Sequence, residues 1–289
     1  MPAFDLQSHS TCSDGTLAPA EVVARAAAAG IELLALTDHD TVDGVPEAVQ
    51  AGLRHGVRVV PAAEISALDG DHEDLHVCGY LLDPQDAGLR AALEAWRADR
   101  AARAERMADA LEEAGLALDR APLDARRAAG KPVGRPHLAQ AAFGHPANAA
   151  RVRDEGLADA SALLEAYLIP GAPAYRRRTT PTVAEAIEVI HAAGGVAVWA
   201  HPFWDVDAPQ DVLDTIDRFA ALGLDGVETF YVTHTRAQVD LLVAHCAARD
   251  LLTTGSTDFH GPGHRLFSRF GAFELHGREP RLGPIAGVS

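Results

Sequence analysis

Seven short apolar runs recur along this 289-residue chain, and side chains that can bind a metal ion follow most of them. The runs cover residues 4–6, 33–36, 57–60, 75–77, 196–199, 226–227 and 251–254, and helix-like segments cover 18–29, 45–54, 183–193, 212–222 and 237–248. Strand and helix in repetition predict an α/β fold with a parallel sheet or barrel. In a β/α barrel the functional groups collect where the strands end, because the loops there converge on one axis.

The polar side chains at these positions are mainly imidazoles and carboxylates. The candidate metal ligands are His9, Asp14, His39, Glu64, His76, His201, Asp258 and His260. Imidazole suits Zn, Mn, Fe and Ni, while carboxylates favour harder cations and can bridge two of them. Cys12, Cys78 and Cys246 are scattered along the chain, which excludes an all-thiolate zinc site. The ligand set is large enough for two or three divalent ions, which are suited to phosphoester hydrolysis.

Three of the acidic residues in these motifs have two interpretations. Asp14 lies in a Ser-Asp-Gly sequence that favours a turn without any metal, but the nearby His9 favours ligation. Asp38 and Asp40 flank His39, where they would either orient imidazoles from behind or cap the next helix.

The alternation of strand and helix is interrupted in the middle of the chain. Apolar residues at roughly helical spacing predict a long amphipathic helix over residues 89–116. The stretch that follows is rich in helix formers and turn residues and has no clear strand. We therefore expect residues 1–98 and 181–289 to form the barrel, and residues 99–180 to form a helical insertion that caps its mouth.

Charge and composition narrow the class of partner. A formal net charge of −16 argues against an extended surface for duplex nucleic acid, because such surfaces neutralise phosphates with clustered Lys and Arg. A small anionic phosphorylated substrate is compatible, since bound cations reverse the local potential. The sequence contains no signal-like segment, no membrane-length apolar run and no CxxC pair. We expect a cytoplasmic protein with no membrane partner.

Several other residues are candidates for contact with such a substrate. Arg135 and His137 are candidate phosphate contacts, because a planar guanidinium matches phosphate oxygens in a bidentate way; the alternative is an ordinary helix start with proline. Arg177, within an arginine run, would frame the pocket entrance or belong to a solvated charge run. Glu228 and His234 are expected to face the pocket, for substrate contact or for protonation of the leaving group.

Considered together, the motifs indicate a family. They are residues 5–10 with 13–15, 37–41, 63–65, His76, 200–202 and 256–261. This set resembles the motifs of the PHP (polymerase and histidinol phosphatase) superfamily, and the similarity extends over nearly the whole chain. Residues 134–137, 167–168 and 172–175 resemble the subgroup of small PHP phosphoesterases that act on nucleotides, including 3′,5′-nucleoside bisphosphates.

The resemblance implies a distorted (β/α)7 barrel and a trinuclear site filled with Mn, Fe or Zn, with Mg also acceptable. It implies these roles by position: Glu64 bridging two metals, Asp258 and His9 on one of them, His76 and His201 on others, and Asp14, His39 and His260 on the third site. It further implies hydrolysis of a phosphomonoester by metal-bound hydroxide. We therefore expect a phosphoric monoester hydrolase that acts on a small nucleotide.

One position departs from the family pattern. The first motif of the superfamily usually reads His-x-His, and Gln7 stands where the first histidine would be. A glutamine carbonyl oxygen binds a hard cation but is a weaker partner than imidazole for Zn. We expect one metal position to be weaker, harder or empty.

Three alternative functions use the same residues. Two are enzymes, a histidinol-phosphate phosphatase and a 5′-3′ exonuclease for short oligonucleotides. The Arg-Pro-His sequence at 135–137 favours nucleotides over histidinol phosphate. The third is a metal-binding regulatory module without catalysis, which Gln7 motivates and the retention of the other ligands opposes.

Overall fold

The computed structural model describes residues 2–128, 130 and 132–287. Its strands are β1 (Phe4–Asp5), β2 (Leu33–Leu36), β3 (Arg58–Asp69), β4 (His72–Tyr80), β5 (Val196–Trp199), β6 (Gly226–Tyr231) and β7 (Leu252–Ser256). Its α-helices are α1 (Pro19–Ala28), α2 (Val45–His55), α3 (Ala87–Glu113), α4 (Arg120–Ala128), α5 (Arg135–Phe143), α6 (Ala149–Asp154), α7 (Ala160–Tyr167), α8 (Val183–Ala192), α9 (Pro202–Asp205), α10 (Pro209–Ala221) and α11 (Arg236–Ala247). Two 3₁₀ turns, Pro146–Asn148 and Gly283–Ala286, complete the elements of the described residues.

The seven strands form one mixed sheet in the order of the sequence. β1, β2 and β3 are parallel, and so are β5, β6 and β7. The sheet curls until its two edges meet, because Leu6 N donates to Gly255 O at 3.1 Å and Ser8 forms a parallel bridge with Phe259. The result is a nearly closed barrel, which confirms the predicted α/β barrel.

β4 differs from simple alternation because it runs antiparallel to both neighbours. β3 is 12 residues long, and the chain returns directly through Gly70, whose φ is 58°. So short a connection permits only an antiparallel pair, since parallel strands need a crossover of a dozen or more residues. Consequently Glu64 lies inside β3, opposite Cys78, and not at a strand end as the apolar pattern predicts.

Alternate side chains of the parallel strands pack on opposite sides of the sheet. On β2, Leu34 and Leu36 pack in one cluster with residues of α1 and α2. Ala35 belongs to the other cluster, with Phe4 and Leu6 from the first strand region. This division follows from the two-residue period of a strand and leaves the strand ends as the places where polar side chains gather.

The chain divides into two compact units. The barrel unit extends to Glu94 and resumes at Pro181, and the helical unit comprises Ala95–Thr180. The helical unit has its own core, which includes Met107, Leu111 and Leu138. The capping role of residues 99–180 stays a prediction. Among the described residues, no helix combines the length and apolarity needed to cross a membrane.

Candidate metal centre

The eight ligands predicted from the sequence meet at one end of the barrel unit. Glu64 lies at the middle of the cluster, and its two carboxylate oxygens point to different histidines. Oε1 is 2.8 Å from His76 Nδ1 and 3.2 Å from His201 Nε2. Oε2 is 3.0 Å from His9 Nε2 and 3.5 Å from His39 Nδ1. One carboxylate therefore faces two separate sets of nitrogens, as a bridging ligand must.

Asp14 forms a second corner of the cluster. Its carboxylate oxygens lie 3.5–3.6 Å from nitrogens of His9, His39 and His260. His260 Nδ1 lies 2.7 Å from Asp258 O, where it donates its hydrogen, so Nε2 is the nitrogen available to a metal ion. Fixing the tautomer of a ligand histidine through its second nitrogen is a regular feature of metal sites.

Asp258 completes a third corner. Its Oδ1 is 3.0 Å from His9 Nε2, the nitrogen that also faces Glu64. Among the described residues the potential ligands form three overlapping groups: His9, Asp14, His39 and His260; His39, Glu64 and His76; His9, Glu64 and Asp258. His201 is near the second group, 3.2 Å from His76 Nδ1.

The spacing of these atoms fits divalent ions. Two donors that are each about 2.1 Å from one ion, at angles between tetrahedral and octahedral values, are about 3.0–3.4 Å apart. Most of the separations above are close to that range. In addition, Glu64 Oε2, Asp258 Oδ1 and both nitrogens of His9 are buried and make no ordinary hydrogen bond. Buried polar atoms without hydrogen bonds are costly unless another partner satisfies them, and a cation is such a partner.

The electrostatics of the cluster also favour cations. Burial alone would raise the pKa of Glu64, but the imidazoles of His76 and His39 hold the pKa of its carboxyl well below the usual range. Burial would lower the pKa of His201, yet Glu64 outweighs it and raises that pKa to about 9. The carboxylate of Glu64 thus favours protonated His76 and His201, whereas burial lowers the pKa of His39 to about 4. Metal ions would replace those protons, because metal binding requires neutral histidine and ionised carboxylate.

Backbone geometry sets the direction of two candidate ligands. His201 and Asp258 have φ values of 30° and 57°, in the left-handed region that residues other than glycine rarely occupy. Such conformations cost about 1–3 kcal/mol each and persist where the surrounding structure requires them. At Gly15, an added Cβ would lie 2.3 Å from His9 O. Glycine is therefore required beside the His9 segment.

Asp38 supports the segment that carries Asp14. Its carboxylate accepts hydrogen bonds from Ser10 N at 2.7 Å and from the hydroxyls of Ser10 and Ser13, both at 2.6 Å. The residue that precedes α2 is Gly44, so Asp38 does not cap that helix. Of the two interpretations of Asp38, the structure favours a supporting role in the metal centre, through the serine segment and not through an imidazole.

The carboxylate of Glu228, a predicted substrate contact, is engaged by groups of the protein itself. It is fully buried, and both of its oxygens accept hydrogen bonds within the protein. Oε2 accepts from His201 N at 2.9 Å, and Oε1 accepts from Ser256 Oγ at 2.5 Å. Burial raises the pKa of this carboxyl to about 7. This geometry favours a role in positioning His201 over contact with a substrate.

His234 is poorly suited to the predicted protonation of a leaving group. Its Nδ1 is 2.9 Å from Thr229 O and donates its hydrogen there, so the neutral ring has no hydrogen on Nε2. Burial lowers the pKa of the imidazole to about 4, which keeps the ring neutral at pH 7. The sequence pattern placed His234 correctly near the site, since its ring contacts Tyr231, but it could not give the tautomer.

Two supporting residues escaped prediction. Tyr231 donates its hydroxyl hydrogen to Asp258 Oδ2 at 2.9 Å and packs 5.4 Å from the ring of His201. Ser256 holds Glu228, as described above. They are the last residues of β6 and β7, and Ser256 lies two residues before the predicted ligand Asp258. Position near the end of an apolar run was the available signal for both residues.

Gln7 is fully buried, as a metal-site residue should be. Neither Oε1 nor Nε2 of its amide has a hydrogen-bond partner in the described part of the chain. A buried amide without partners costs about 1–3 kcal/mol. The unpaired carbonyl oxygen is therefore compatible with the predicted weak oxygen ligand.

The predicted phosphate contacts belong to the helical unit. Arg135 is the first residue of α5, and His137 Nδ1 accepts a hydrogen bond from Gly134 N at 3.1 Å. The alternative of a helix start with proline is thus a correct description of the local structure. In the arginine run, Arg177 is exposed, whereas Arg178 is only 2% exposed. The run is not a uniformly solvated surface.

Comparison with known proteins identifies the family. Residues 5–124 match the model described as the PHP domain. A Chromobacterium violaceum protein named 3′,5′-nucleoside bisphosphate phosphatase is 34% identical over 268 residues, which covers 91% of this chain and 89% of the relative. The chain belongs to the PHP family. A Haemophilus influenzae PHP relative named 5′-3′ exoribonuclease is also 34% identical, over 259 residues and 90% of each chain.

A solved structure supports the same assignment. It is described as an amidohydrolase from Chromobacterium violaceum with bound sulfate and no metal, and it aligns with a TM-score of 0.73 at 32% identity. The alignment covers 92% of this chain and 90% of the other. The PHP membership and the three groups of ligands together make this protein a metal-dependent phosphoesterase. They confirm the predicted family and the need for divalent metals.

Proposed function

We propose that this PHP protein hydrolyses the phosphomonoester of a small nucleotide, either a 3′,5′-nucleoside bisphosphate or a 5′-mononucleotide. The observation that carries the proposal is the convergence of Glu64, Asp14 and Asp258 on one set of histidines. Such a cluster suits phosphoryl transfer, in which charge spreads over several oxygens at once. The name of the Chromobacterium violaceum relative supports the nucleotide as substrate.

The cofactors we propose are three divalent ions, one for each ligand group. They supply Lewis acidity for the phosphoryl oxygens and an activated water. The holding residues would be His9, Glu64 and Asp258 for one ion, His39, Glu64, His76 and His201 for another, and His9, Asp14, His39 and His260 for the remaining one. Gln7 would add a carbonyl oxygen, which favours Mn²⁺ over Zn²⁺ at its position.

The remaining residues divide into those that position ligands and those that contact the substrate. Glu228 fixes the backbone of His201, Tyr231 fixes the carboxylate of Asp258, and Asp38 fixes the segment of Asp14. The proposed phosphate contacts are Arg135 and His137. A guanidinium pairs with two phosphate oxygens at once and neutralises their charge as the ester bond breaks.

The test is release of phosphate, with Mn²⁺ present, from a panel of four substrates. The panel contains a 3′,5′-nucleoside bisphosphate, a 5′-mononucleotide, histidinol phosphate and a short RNA. We expect the bisphosphate or the mononucleotide to have the highest kcat/KM. The Asp258→Asn variant, purified in the same way, reports any contaminating phosphatase. If the protein with bound metal hydrolyses none of the four substrates, the proposal is wrong. The metal-binding regulatory module without catalysis would then be the better interpretation.

Exonuclease activity is the second candidate, and the name of the Haemophilus influenzae relative favours it. A 5′-phosphorylated short RNA separates the two activities. A monoesterase removes only the terminal phosphate, whereas an exonuclease also releases mononucleotides in order from the 5′ end. Dominant release of mononucleotides would make the exonuclease the main function.

The role of Arg135 is tested separately by Arg135→Ala. We expect a higher KM or a lower kcat/KM for nucleotides, with metal content unchanged. Unchanged kinetics would remove Arg135 from the substrate site.

For the cofactor, Gln7→His should increase the retained Zn relative to Mn, measured by elemental analysis. The same metal content in parent and variant would exclude Gln7 as a ligand.

A further inference from the structure

An aromatic cluster with a buried central ring and two exposed rings lies beside the metal ligands on the barrel unit. It consists of Trp204, His264 and Phe267. Phe267 is the central ring: it lies 5.8 Å from the ring of Trp204 and 4.8 Å from that of His264, with which it is parallel within 5°. Trp204 is 53% exposed, a high value for so large an apolar side chain.

The cluster is joined to the metal centre by packing and by backbone. The Phe267 ring is 5.6 Å from the ring of His260, and Phe267 O accepts a hydrogen bond from His260 N at 2.9 Å. On the other side, Trp204 N donates to His201 O at 2.8 Å, within the short helix α9 that follows this ligand. The exposed indole of Trp204 is therefore separated from His260 by the single ring of Phe267. It also lies three residues after His201 in the sequence.

Hydrogen bonds hold His264, one ring of the cluster, in place. His264 Nδ1 accepts hydrogen bonds from Phe267 N at 3.0 Å and from Leu266 N at 3.4 Å. These bonds fix the imidazole on the face of Phe267, which in turn packs against the indole of Trp204. A rigid aromatic face binds a flat ligand with little loss of conformational entropy.

From this arrangement, which rests on the proposed function, we propose that the indole of Trp204 is the stacking surface for the nucleobase of the substrate. A phosphate held at the metals leaves the rest of a nucleotide near this ring, and base stacking on an aromatic side chain is strong for every base. Recognition by a π-face alone is tolerant of base identity. The protein should therefore prefer nucleotides to sugar phosphates while accepting different bases.

The experiment compares kcat/KM for adenosine 3′,5′-bisphosphate with kcat/KM for ribose 5-phosphate in wild type, Trp204→Ala, Trp204→Leu and Trp204→Phe. We expect the ratio of the two values to fall about tenfold in the Ala and Leu variants, the change expected for loss of one stacked base, and to stay near wild type in the Phe variant. Leu53→Ala is the control, because Leu53 is 76% exposed near the C-terminal end of α2.

Each other outcome contradicts the stacking surface. An unchanged ratio in Trp204→Ala, with the bisphosphate still hydrolysed by wild type, overturns it and leaves the nucleotide phosphatase intact. Equal losses on both substrates, or a Leu variant equal to the Phe variant, would indicate support of α9 or simple apolar packing. If wild type hydrolyses ribose 5-phosphate and no nucleotide, the proposed function and the stacking surface both fail.

Discussion

The metal centre has a buried side and an exposed side, and the two differ in access to water. On the buried side, Glu64, His9 and Asp258 have almost no solvent contact. On the exposed side, the side chain of Asp14 is 47% exposed, and those of His39 and His260 are 20% and 15% exposed. Charges interact more strongly where water does not screen them. Ions should therefore be retained on the buried side and exchange more readily near Asp14.

The two sides are also supported differently. On the buried side, single hydrogen bonds from Tyr231 and to Glu228 fix Asp258 and His201. On the exposed side, Asp38 holds a short serine segment that in turn carries Asp14. Substitutions on each side should thus differ in whether added metal can compensate for them.

The largest effect is expected for Glu64→Gln. Glu64 belongs to two ligand groups, and the variant loses the charge that faces four imidazoles. Loss of an outer partner of a metal site costs about 10–100-fold, so loss of this shared ligand should lower kcat/KM by more than about 100-fold. Metal content and phosphate release should both fall, and excess Mn²⁺ should not restore activity. Glu188→Gln, at an exposed position on α8, is the matched control.

Recovery of the activity of Glu64→Gln in excess Mn²⁺ would contradict the expected difference between the buried and exposed sides. It would mean that the buried side binds its ions no more tightly than the exposed side. Elemental analysis before and after dialysis distinguishes this result from simple loss of folding, which circular dichroism would detect.

Asp14→Asn should have a smaller effect that metal compensates. The group of Asp14 keeps three histidines but loses one charge, and ligand charge controls affinity for divalent cations. We expect the Mn²⁺ concentration for half-maximal activity to rise at least about tenfold, with near-normal kcat at saturation. A titration of activity against Mn²⁺ measures both values. If the variant is inactive at every Mn²⁺ concentration, added metal does not compensate for the loss of Asp14, and Asp14 resembles Glu64 in this respect.

The sequence predicted that the candidate ligands of both sides would lie together, because the barrel topology brings strand ends together wherever the strands come from. His9, His201 and Asp258 follow β1, β5 and β7, far apart in the chain, yet a parallel barrel must place them on one face. Local sequence therefore identified the residues, and the fold class supplied their proximity. The antiparallel direction of β4 was not predicted. The apolar run at 57–60 does not show that β3 continues to Asp69, where the chain turns back at Gly70 without a helix.

Supporting contacts were harder to predict because they depend on side-chain direction across strands. Glu228 follows an apolar run as a ligand would, but the structure turns its carboxylate toward Ser256 on the neighbouring strand. A shift of one residue in a strand reverses the face of a side chain, and runs this short do not define the register. The tautomer of His234 likewise depends on a carbonyl that only the folded chain presents.

Asp38→Asn tests the support of the exposed side. The amide keeps one acceptor oxygen, but its NH₂ group would face a serine hydroxyl or backbone N–H that now donates to the carboxylate. We expect metal affinity or kcat/KM to fall by about 10–100-fold, as for other outer partners of metal sites. Excess Mn²⁺ should restore part of the activity, as for Asp14→Asn. Asp43→Asn, on the exposed part of the same segment, should behave as wild type.

Tyr231→Phe tests the support of the buried side and should have the smallest effect. The variant removes the hydrogen bond to Asp258 Oδ2 but keeps the ring that packs against His201. Hydrogen bonds to charged groups contribute about 1.5–3 kcal/mol, so the free energy of unfolding of the metal-free protein should fall by about that amount. With metals bound the loss should be smaller, because an ion on Asp258 also fixes the carboxylate. Denaturant unfolding with and without Mn²⁺ measures both losses, and a larger loss in the metal-bound protein would show that Tyr231 orients Asp258 chiefly for its metal.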